Sequence, residues 1–272
     1  MTPETVQKNA VHTETIHLDP SSTSEQLQAA VEASVAKVEA AIAAEERLPV
    51  NPYQDRVYVF PEGIMPRKLP IVLYPDPRLE RPSDPVEFFG SGLDQFAANL
   101  VATAIAADAA GLSAVQVGMN IRVVALRVSK AKEFVVLVNP TLDIDLSKMV
   151  EVEEGCLSFP GVKEKVQRSS VATVYYQDLK GEQQEMTLVV DDEATYVAAQ
   201  AAQHEVEHLD GVLLTASLNF VHRDRVRKHM KQVHRKLDAI TKKTGGKFCV
   251  EQALFGYIPD PEPKSVAQAE VA

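Results

Sequence analysis

The chain has 272 residues, of which 45% are hydrophobic, and a formal net charge of −10. This length and apolar content suit one sizeable domain with extensions, and the acidic balance argues against a surface that binds nucleic acid all over. Two cysteines, Cys156 and Cys249, are too few for a disulfide framework, so a cytoplasmic location is expected. No apolar run reaches the length of a membrane span, and we expect no membrane contact.

The first 65 residues are predicted to form an extension that precedes the main domain. Residues 1–23 are polar and are predicted to be disordered. The Ala-rich stretch 24–48 has apolar residues at helical spacing, which predicts an amphipathic helix with the stripe Val31, Val35, Val38 and Ile42. Prolines punctuate the residues that follow, and these are predicted to be a linker that completes the extension 1–65.

The main domain is predicted to span 66–245 and to be followed by a disordered tail, 246–272. Strands with one helix before them and one helix crossing them indicate the α+β class. In chain order, the predicted elements are a short strand at 70–74, a helix at 93–110 that stops before Gly111, strands at 121–128 and 134–140, a hairpin at 170–190, and helices at 193–210 and 222–243.

Residues 203–211, QHEVEHLDG, contain two histidines four positions apart, with a glutamate directly after the first. Positions i and i+4 lie on one face of a helix, so His204 and His208 are able to reach one metal ion. Glu205 would then lie beside that ion as a general base. A catalytic site of this type needs a third protein ligand, which could be a thiolate, an imidazole or a carboxylate, and one open position.

Two other stretches contain candidate residues. Cys156 in VEVEEGCLSFPG lies between strand-like segments, where a loop could present its sulfur, although a free buried cysteine is more often a small hydrophobic residue. In GLSAVQVGMN, small residues follow a glycine and Gln116 precedes Val117 and Gly118. Taken alone, this second stretch is also compatible with a helix-to-strand turn that leaves the glutamine in solvent.

In this order, GLSAVQVG, EGCLS and QHEVEHLDG resemble the three signature motifs of the peptide deformylases. The resemblance covers about 69–243 and includes YPDPRL near the start of the domain. It implies a peptide-deformylase-like α+β fold, in which antiparallel strands surround a central HExxH helix, with an N-terminal helical extension and a C-terminal helix. It also implies a hydrolase that removes the N-formyl group from the formyl-methionine of nascent polypeptides.

The resemblance gives each candidate residue a role. The metal ligands are expected to be Cys156, His204 and His208. Metal-bound water is expected to attack the formyl carbonyl, with Glu205 as general base and acid. The side-chain amide of Gln116 and the backbone N–H of Leu157 are expected to stabilise the oxyanion, and Glu154 to brace the site. Fe²⁺ is the expected native ion, and Zn²⁺, Ni²⁺ or Co²⁺ are able to occupy the same ligands.

The substrate pocket is expected to contain Gly111, which lets the substrate backbone approach, and a methionine pocket lined by Val197, Gln200 and Ala201. Related enzymes usually have apolar residues at the position of Gln200, and a polar group there would weaken the preference for methionine unless its amide is satisfied elsewhere or points aside. The first motif also departs from the commonest pattern, GLAAPQVG, at Ser113 and Val115. Three further residues are expected to be structural or solvated: Glu207, Asp210 and Cys249.

Residues 222–247 contain ten Lys or Arg and two Asp, a charge of +8, so the rest of the chain carries −18. Similar enzymes are thought to dock on the ribosome through a C-terminal helix, and the helix at 222–243 is therefore expected to contact ribosomal phosphates. Its apolar stripe is expected to pack on the catalytic domain: Val226, Met230, Val233, Leu237 and Ile240.

Two alternative functions remain open from the sequence. A lone HExxH motif also occurs in metalloproteases, so a metallopeptidase or a deacylase of another N-acyl group is possible in principle, although EGCLS and Gln116 argue against it. The basic helix would also fit a ribosome-associated protein with reduced catalysis, which the retention of all three expected ligands and Glu205 argues against.

Overall fold

The computed structural model describes residues 53–190, 196–244, 254–256 and 260, all within the unit Pro49–Ala272. Several expectations lie outside these residues: the helix at 24–48, the start of the helix near 193, Cys249, and most of the tail 246–272. The domain bounds 1–65, 66–245 and 246–272 stay a prediction.

The described part of the chain contains three α-helices and seven β-strands. The helices are α1 (Ser91–Ala106), α2 (Tyr196–Leu209) and α3 (Phe220–Thr244). The strands are β1 (Gly111–Ser113), β2 (Val123–Arg127), β3 (Phe134–Ile144), β4 (Met149–Gly155), β5 (Lys163–Ser169), β6 (Val171–Gln177) and β7 (Gln183–Val189). None of the helices within these described ranges is both long and apolar enough to cross a membrane.

All strand pairs are antiparallel, and they form two sheets. The larger sheet has the order β1-β2-β3-β6-β7, and β4 pairs with β5 in a separate hairpin. The runs VVAL in β2 and FVVLV in β3 are buried throughout, as short continuous apolar runs predict for core strands. Together with the helices, these sheets confirm the α+β class.

Helix α2 packs on the larger sheet through small side chains. Ala198, Ala199 and Ala202 are buried in one cluster with residues of β2, β3, β6 and β7. Small side chains allow the helix to lie close to the sheet. The larger polar residues of α2 lie elsewhere on its surface. Two of those polar residues, His204 and His208, contact the loop and strand of the β4–β5 hairpin.

Helix α3 packs on the rest of the domain along the predicted stripe. Val226, Met230 and Leu237 are buried, and Val233 and Ile240 are partly buried. The first two share a core cluster with Phe159 and Cys156, so the helix supports the loop after β4. The prediction of an amphipathic helix at 222–243 is confirmed, with bounds that extend to Phe220 and Thr244.

The strand predicted at 70–74 is wrong, because this segment joins neither sheet. Its backbone N–H groups bond instead to two loops: Val72 donates to the carbonyl of Gln116 at 2.7 Å, and Tyr74 donates to the carbonyl of Ser158 at 3.0 Å. Partners on two different loops do not form a continuous ladder. The segment therefore ties together the loops that carry Gln116 and Cys156.

Residues on both sides of 66–245 also contact this domain. The backbone N–H of Tyr58 donates to the carbonyl of Phe134 at 2.6 Å. At the other end, Phe255 packs against the core formed by α1 and β1–β3. Asp260 pairs with Lys68 through its backbone and its carboxylate. The packed region thus extends to residues that flank the predicted domain bounds.

Candidate metal centre

Three buried side chains that bind metals converge at one place. One possible ligand atom from each of Cys156, His204 and His208 lies within 4.8 Å of the others, and Cys156 Sγ is 3.2 Å from His208 Nε2. The histidines come from one face of α2, as their spacing predicts, and the cysteine comes from the loop after β4. The arrangement offers the Cys/His₂ donor set of a catalytic metal site.

The free atoms of this cluster fit a metal ion. His204 Nδ1 lies 3.1 Å from Glu154 Oε2, and its Nε2 has no hydrogen-bond partner among the described residues. A buried ring nitrogen without a partner costs free energy, and a divalent ion would satisfy it. The pairing with Glu154 fixes the orientation of the ring, as carboxylates commonly do for metal-binding histidines.

The pKa values of the two histidines move in opposite directions. Burial lowers the pKa of His208 well below its usual range, and the charges of His204 and Arg168 lower it further. Burial also acts to lower the pKa of His204, but the interactions with Cys156, Glu154 and Glu205 outweigh it and raise that pKa well above the usual range. His208 is therefore neutral and able to bind a metal, whereas a proton and a metal ion compete for His204.

Arg168 on β5 also contacts the carboxylate of Glu154. Its guanidinium donates to both carboxylate oxygens of Glu154, at 2.7 and 2.9 Å, and to both of Glu207, at 2.6 and 2.9 Å. Burial acts to raise the pKa of Glu154, but hydrogen bonds from Arg168 and His204 lower it to about 2. The carboxylate is therefore charged. It contacts both Arg168 on β5 and the His204 ring, so the orientation of the ring depends on the position of β5.

Sequence reasoning did not find Arg168. Glu154 was expected to brace the site, and Glu207 and Asp210 were expected to be structural or solvated. Glu207 is the second partner of Arg168, and Asp210 pairs with Arg122 at 2.7 Å. A single arginine near the end of a charged strand carries no sign of its partners, which lie 14 and 39 residues away.

Glu205 is buried between α2 and β1. Its Oε2 has no hydrogen-bond partner in the described part of the chain. Burial raises its pKa, and the smaller lowering effects of His204 and Ser113 do not cancel this. A Cβ atom on Gly111 would lie 2.6 Å from Glu205 Cγ. Gly111 thus has a second purpose besides the expected approach of substrate, because its missing side chain makes room for Glu205.

Gln116 is buried, and its amide has a fixed orientation. Its Oε1 accepts hydrogen bonds from the backbone N–H and the hydroxyl of Ser113, both at 2.9 Å. Its Nε2 lies 3.5 Å from Cys156 Sγ and 3.4 Å from Ser158 Oγ. Since the backbone N–H of Ser113 can only donate, its partner must be the amide oxygen, and the amide nitrogen is the atom that faces Cys156.

Ser113 and Val115, at which the first motif differs from the commonest pattern, are both buried. Ser113 forms a capping box with Gln116 around the short helical turn Ala114–Val117, which stabilises the turn without the proline of the commoner pattern. The pattern Ser-x-x-Gln is a sequence signature of a capping box, so the contact between Ser113 and Gln116 could have been predicted.

A cavity of about 460 Å³ opens beside the group of Cys156, His204 and His208. Cys156, His204 and Glu205 contribute to its wall. Gln200 is half-buried, lines the cavity, and has a side-chain nitrogen without a hydrogen-bond partner among the residues described. The wall also contains the other residues expected to contact substrate: Gly111, Gln116, Leu157, Val197 and Ala201. Leu254 and Phe255, which sequence reasoning did not single out, complete another part of it.

Comparison with known proteins places this arrangement in one family. Residues 68–224 match the family model described as polypeptide deformylase. The peptide deformylase of Hahella chejuensis is 38% identical over 169 residues, which are 62% of this chain and 97% of that protein. The peptide deformylase of Acidobacterium capsulatum is 36% identical over 61% of this chain and 95% of that protein.

Solved structures give the same result. A peptide deformylase from Legionella pneumophila has a TM-score of 0.57 and 31% identity, and the match covers 62% of this chain and 96% of that one. The peptide deformylase from Ehrlichia chaffeensis in complex with actinonin has a TM-score of 0.55 and 30% identity, with coverage of 62% and 98%. Most of α3 and residues 254–260 lie beyond the family match, which ends at residue 224.

Proposed function

This chain belongs to the polypeptide deformylase family, and on that premise we propose how its own residues remove the N-formyl group from the formyl-methionine of nascent polypeptides. The observation that carries the proposal is the meeting of three metal-binding side chains beside a cavity that also contains Glu205 and Gln116. The proposed metal ligands are Cys156, His204 and His208. The proposed native ion is Fe²⁺, supported by the family resemblance, because the donor set alone also suits Zn²⁺, Ni²⁺ or Co²⁺.

Glu205 is the proposed proton carrier. A divalent ion on the three ligands would act as a Lewis acid and lower the pKa of a coordinated water towards ~7. Glu205 accepts the proton of the attacking water and delivers it to the amine nitrogen as the C–N bond breaks. Burial supports this role, because a raised carboxyl pKa lies closer to the pH at which the proton must be both taken and released.

Gln116 and Leu157 are the proposed donors to the oxyanion that forms when water adds to the formyl carbon. The two hydrogen bonds from Ser113 support this role for Gln116, because they leave its amide N–H group facing the cluster. The second donor is the backbone N–H of Leu157, next to the cysteine ligand. Loss of one such donor typically costs about 2.7–4 kcal/mol of transition-state stabilisation.

The methionine side chain is proposed to lie against α2, where Val197, Gln200 and Ala201 line the cavity. Gly111 forms part of the same wall, and its missing side chain allows the peptide backbone to come close. Gln200 places an unpaired amide nitrogen in an otherwise apolar lining. We therefore propose that this pocket accepts polar first residues more readily than an all-apolar pocket would.

The proposed macromolecular partner is the ribosome, which presents the nascent chain, and the proposed location is the cytoplasm. Helix α3 supports this, because its buried stripe packs on the domain while its basic residues are exposed: Arg227, Lys228, Lys231, Arg235, Lys242 and Lys243. A row of exposed cations suits a phosphate-rich surface.

The test compares three peptides of the same length under reducing conditions with Fe²⁺ or Ni²⁺: formyl-Met-Ala-Ser, acetyl-Met-Ala-Ser and unblocked Met-Ala-Ser. Only the first is expected to react, with release of one amine per formate. Equal turnover of the acetyl peptide would indicate a general N-acyl deacylase. Cleavage after methionine would indicate a metallopeptidase, and no turnover of any peptide by the metal-loaded protein would indicate a binding protein with reduced catalysis.

A further inference from the structure

The cavity at the metal centre has a wall that comes from the C-terminal part of the chain. Leu254 and Phe255 line the same cavity as Cys156 and Glu205. Both side chains are partly buried, and Phe255 packs against the core cluster built on α1 and β1–β3. Both residues therefore border the cavity, and Phe255 also joins this wall to the core.

The chain is held at Asp260, five residues after Phe255 in sequence. The carboxylate of Asp260 accepts a hydrogen bond from the backbone N–H of Lys68 at 2.7 Å, and its backbone N–H donates to the carbonyl of Lys68 at 2.9 Å. Arg67 Nη2 also donates to the carbonyl of Asp260 at 3.3 Å. Three bonds thus fix the chain five residues after Phe255 to the segment that precedes the site.

This wall and the proposed methionine pocket are built by different parts of the chain. The methionine pocket is on α2, whereas Leu254 and Phe255 come from a part of the chain beyond the family match. A peptide with its formyl group at Glu205 and its first side chain against α2 has its following residues in the rest of the cavity. Large apolar side chains on the wall favour apolar partners, because contact removes both surfaces from water.

We propose that Leu254 and Phe255 are specificity-determining residues that contact the side chains following methionine and favour apolar ones. This rests on the proposed function. The two residues border a cavity of about 460 Å³ that still reaches Cys156 and His204. They therefore form a wall of the cleft and do not block it. A contact of this kind is equal in the bound substrate and in the transition state, and it therefore changes KM more than kcat.

The test uses the full chain and measures kcat and KM on formyl-Met-Phe-Ser, formyl-Met-Asp-Ser and formyl-methionine amide. The wild type is expected to prefer the Phe peptide. In Phe255→Ala, kcat/KM on that peptide is expected to fall by about 10-fold relative to the Asp peptide, the lower end for a change in an apolar pocket. Most of the change is expected in KM. Leu254→Ala is expected to act in the same direction.

Two further variants distinguish an effect of the wall on substrate selectivity from a general effect on packing. Phe88→Ala makes the same substitution at a side chain that is 71% exposed and outside the cavity lining, and its ratio is expected to equal that of the wild type. Asp260→Ala keeps the Phe255 side chain but removes the carboxylate that holds the chain to Lys68, so the wall is expected to shift and part of the KM change to be reproduced. It also provides the test if Phe255→Ala fails to fold.

The proposal is overturned if the Phe-to-Asp ratio stays at the wild-type value in Leu254→Ala and Asp260→Ala and in folded Phe255→Ala. It is also overturned if KM falls in these variants, because the segment would then block the cleft. Failure of the wild type to deformylate any of the three substrates would refute the proposed function instead, so the two failures are distinguishable.

Discussion

At the scale of single residues, buried polar atoms decide what the site is able to do. Gln116 has its oxygen satisfied twice by Ser113, which leaves its nitrogen facing Cys156 and Ser158. Glu205 and Gln200 each have one buried side-chain atom without a hydrogen-bond partner among the described residues. A buried group left in this state costs about 1–3 kcal/mol, so each atom is available to a water molecule or a substrate.

The role of Glu205 leads to the first prediction. In Glu205→Gln, the metal content is expected to stay at the wild-type level, because none of the three proposed ligands changes. The amide cannot accept and release a proton, so kcat is expected to fall at least about 10²-fold, the lower end for general acid–base catalysis. Metal analysis and steady-state kinetics on formyl-Met-Ala-Ser measure the two quantities. Near-normal turnover by a metal-loaded variant would remove Glu205 from the mechanism.

The unpaired amide of Gln200 leads to the second prediction. Gln200→Leu is expected to raise the preference for formyl-Met over a formyl peptide with a polar first residue by about 10–200-fold, the range for one change in an apolar pocket. The variant should also melt at a higher temperature, because it removes an unpaired donor. Gln232→Leu, an exposed position on α3, is the matched control. If both variants show the wild-type selectivity ratio, Gln200 does not contact the first side chain.

At the scale of secondary-structure elements, Arg168 connects the β4–β5 hairpin to α2. It bonds to Glu154 on β4 and to Glu207 on α2, and Glu154 in turn orients His204. Three elements that are distant in sequence are thus joined by charged hydrogen bonds behind the proposed metal ligands. In the proposed metal site, these bonds would hold the ligands in position.

The third prediction concerns this connection. Arg168→Ala leaves the buried Glu154 without its cationic partner, which is expected to lower the free energy of unfolding by about 3–5 kcal/mol. It should also weaken metal binding by about 10–100-fold, because His204 loses its fixed orientation. Urea denaturation and competition with a chelator measure the two effects.

Lys165→Ala provides the control on the same hairpin. Lys165 pairs with Glu151, but its side chain is 69% exposed, and the loss of such a pair costs less than about 1 kcal/mol. Equal stability losses in the two variants would mean that the Arg168 network has no special structural importance.

The sequence predicted elements whose pattern is local and missed those whose partners are distant. The buried runs of β2 and β3 and the i, i+4 histidines of α2 are visible as local periods. Strand β5, KEKVQRS, was not predicted, because one of its buried positions is Arg168 and the apolar alternation is lost. Residues 70–74 have the composition of a strand, yet their hydrogen bonds go to two loops.

The same division applies to the candidate site. Spacing placed the two histidines on one helix face, with Glu205 directly after the first, but only the family resemblance led to the proposal of Cys156 as the third ligand. The contact between Leu254–Phe255 and the cavity joins residues that are about 50 to 100 positions apart in sequence from most of the other lining residues. No local pattern of residues contains that information.

At the scale of the whole molecule, α3 has two faces with separate purposes. One face contributes Val226 and Met230 to the core that includes Cys156. The other face carries exposed cations in a chain whose net charge is −10. Removal of the helix would therefore disturb the core as well as the basic surface, and substitution of the exposed cations alone is the sharper test of ribosome binding.

The fourth prediction follows from this separation. A variant with four exposed cations of α3 changed to glutamine is expected to bind ribosomes more weakly and with a smaller dependence on salt, because fewer counterions are released from phosphates. The four positions are Lys231, Arg235, Lys242 and Lys243. Turnover of formyl-Met-Ala-Ser should stay near the wild-type value, since these residues do not line the cavity. Cosedimentation across a salt series measures the binding.

The matched control changes one arginine and three lysines that are equally exposed elsewhere: Arg81, Lys148, Lys165 and Lys180. It alters the net charge by the same amount, so any general effect of charge appears in both variants. Equal ribosome binding by the two variants, or binding that does not respond to salt, would refute docking through α3.

Two of the proposed metal ligands are far apart in sequence. Cys156 and His208 are 52 residues apart, yet their side chains meet at 3.2 Å. An ion that joins them closes a loop that contains β5, β6, β7 and most of α2, and it acts as a reversible cross-link. Cross-links that close long loops reduce the conformational freedom of the unfolded chain. Loss of the ion would then lower the free energy of unfolding of the part of the chain that this loop contains.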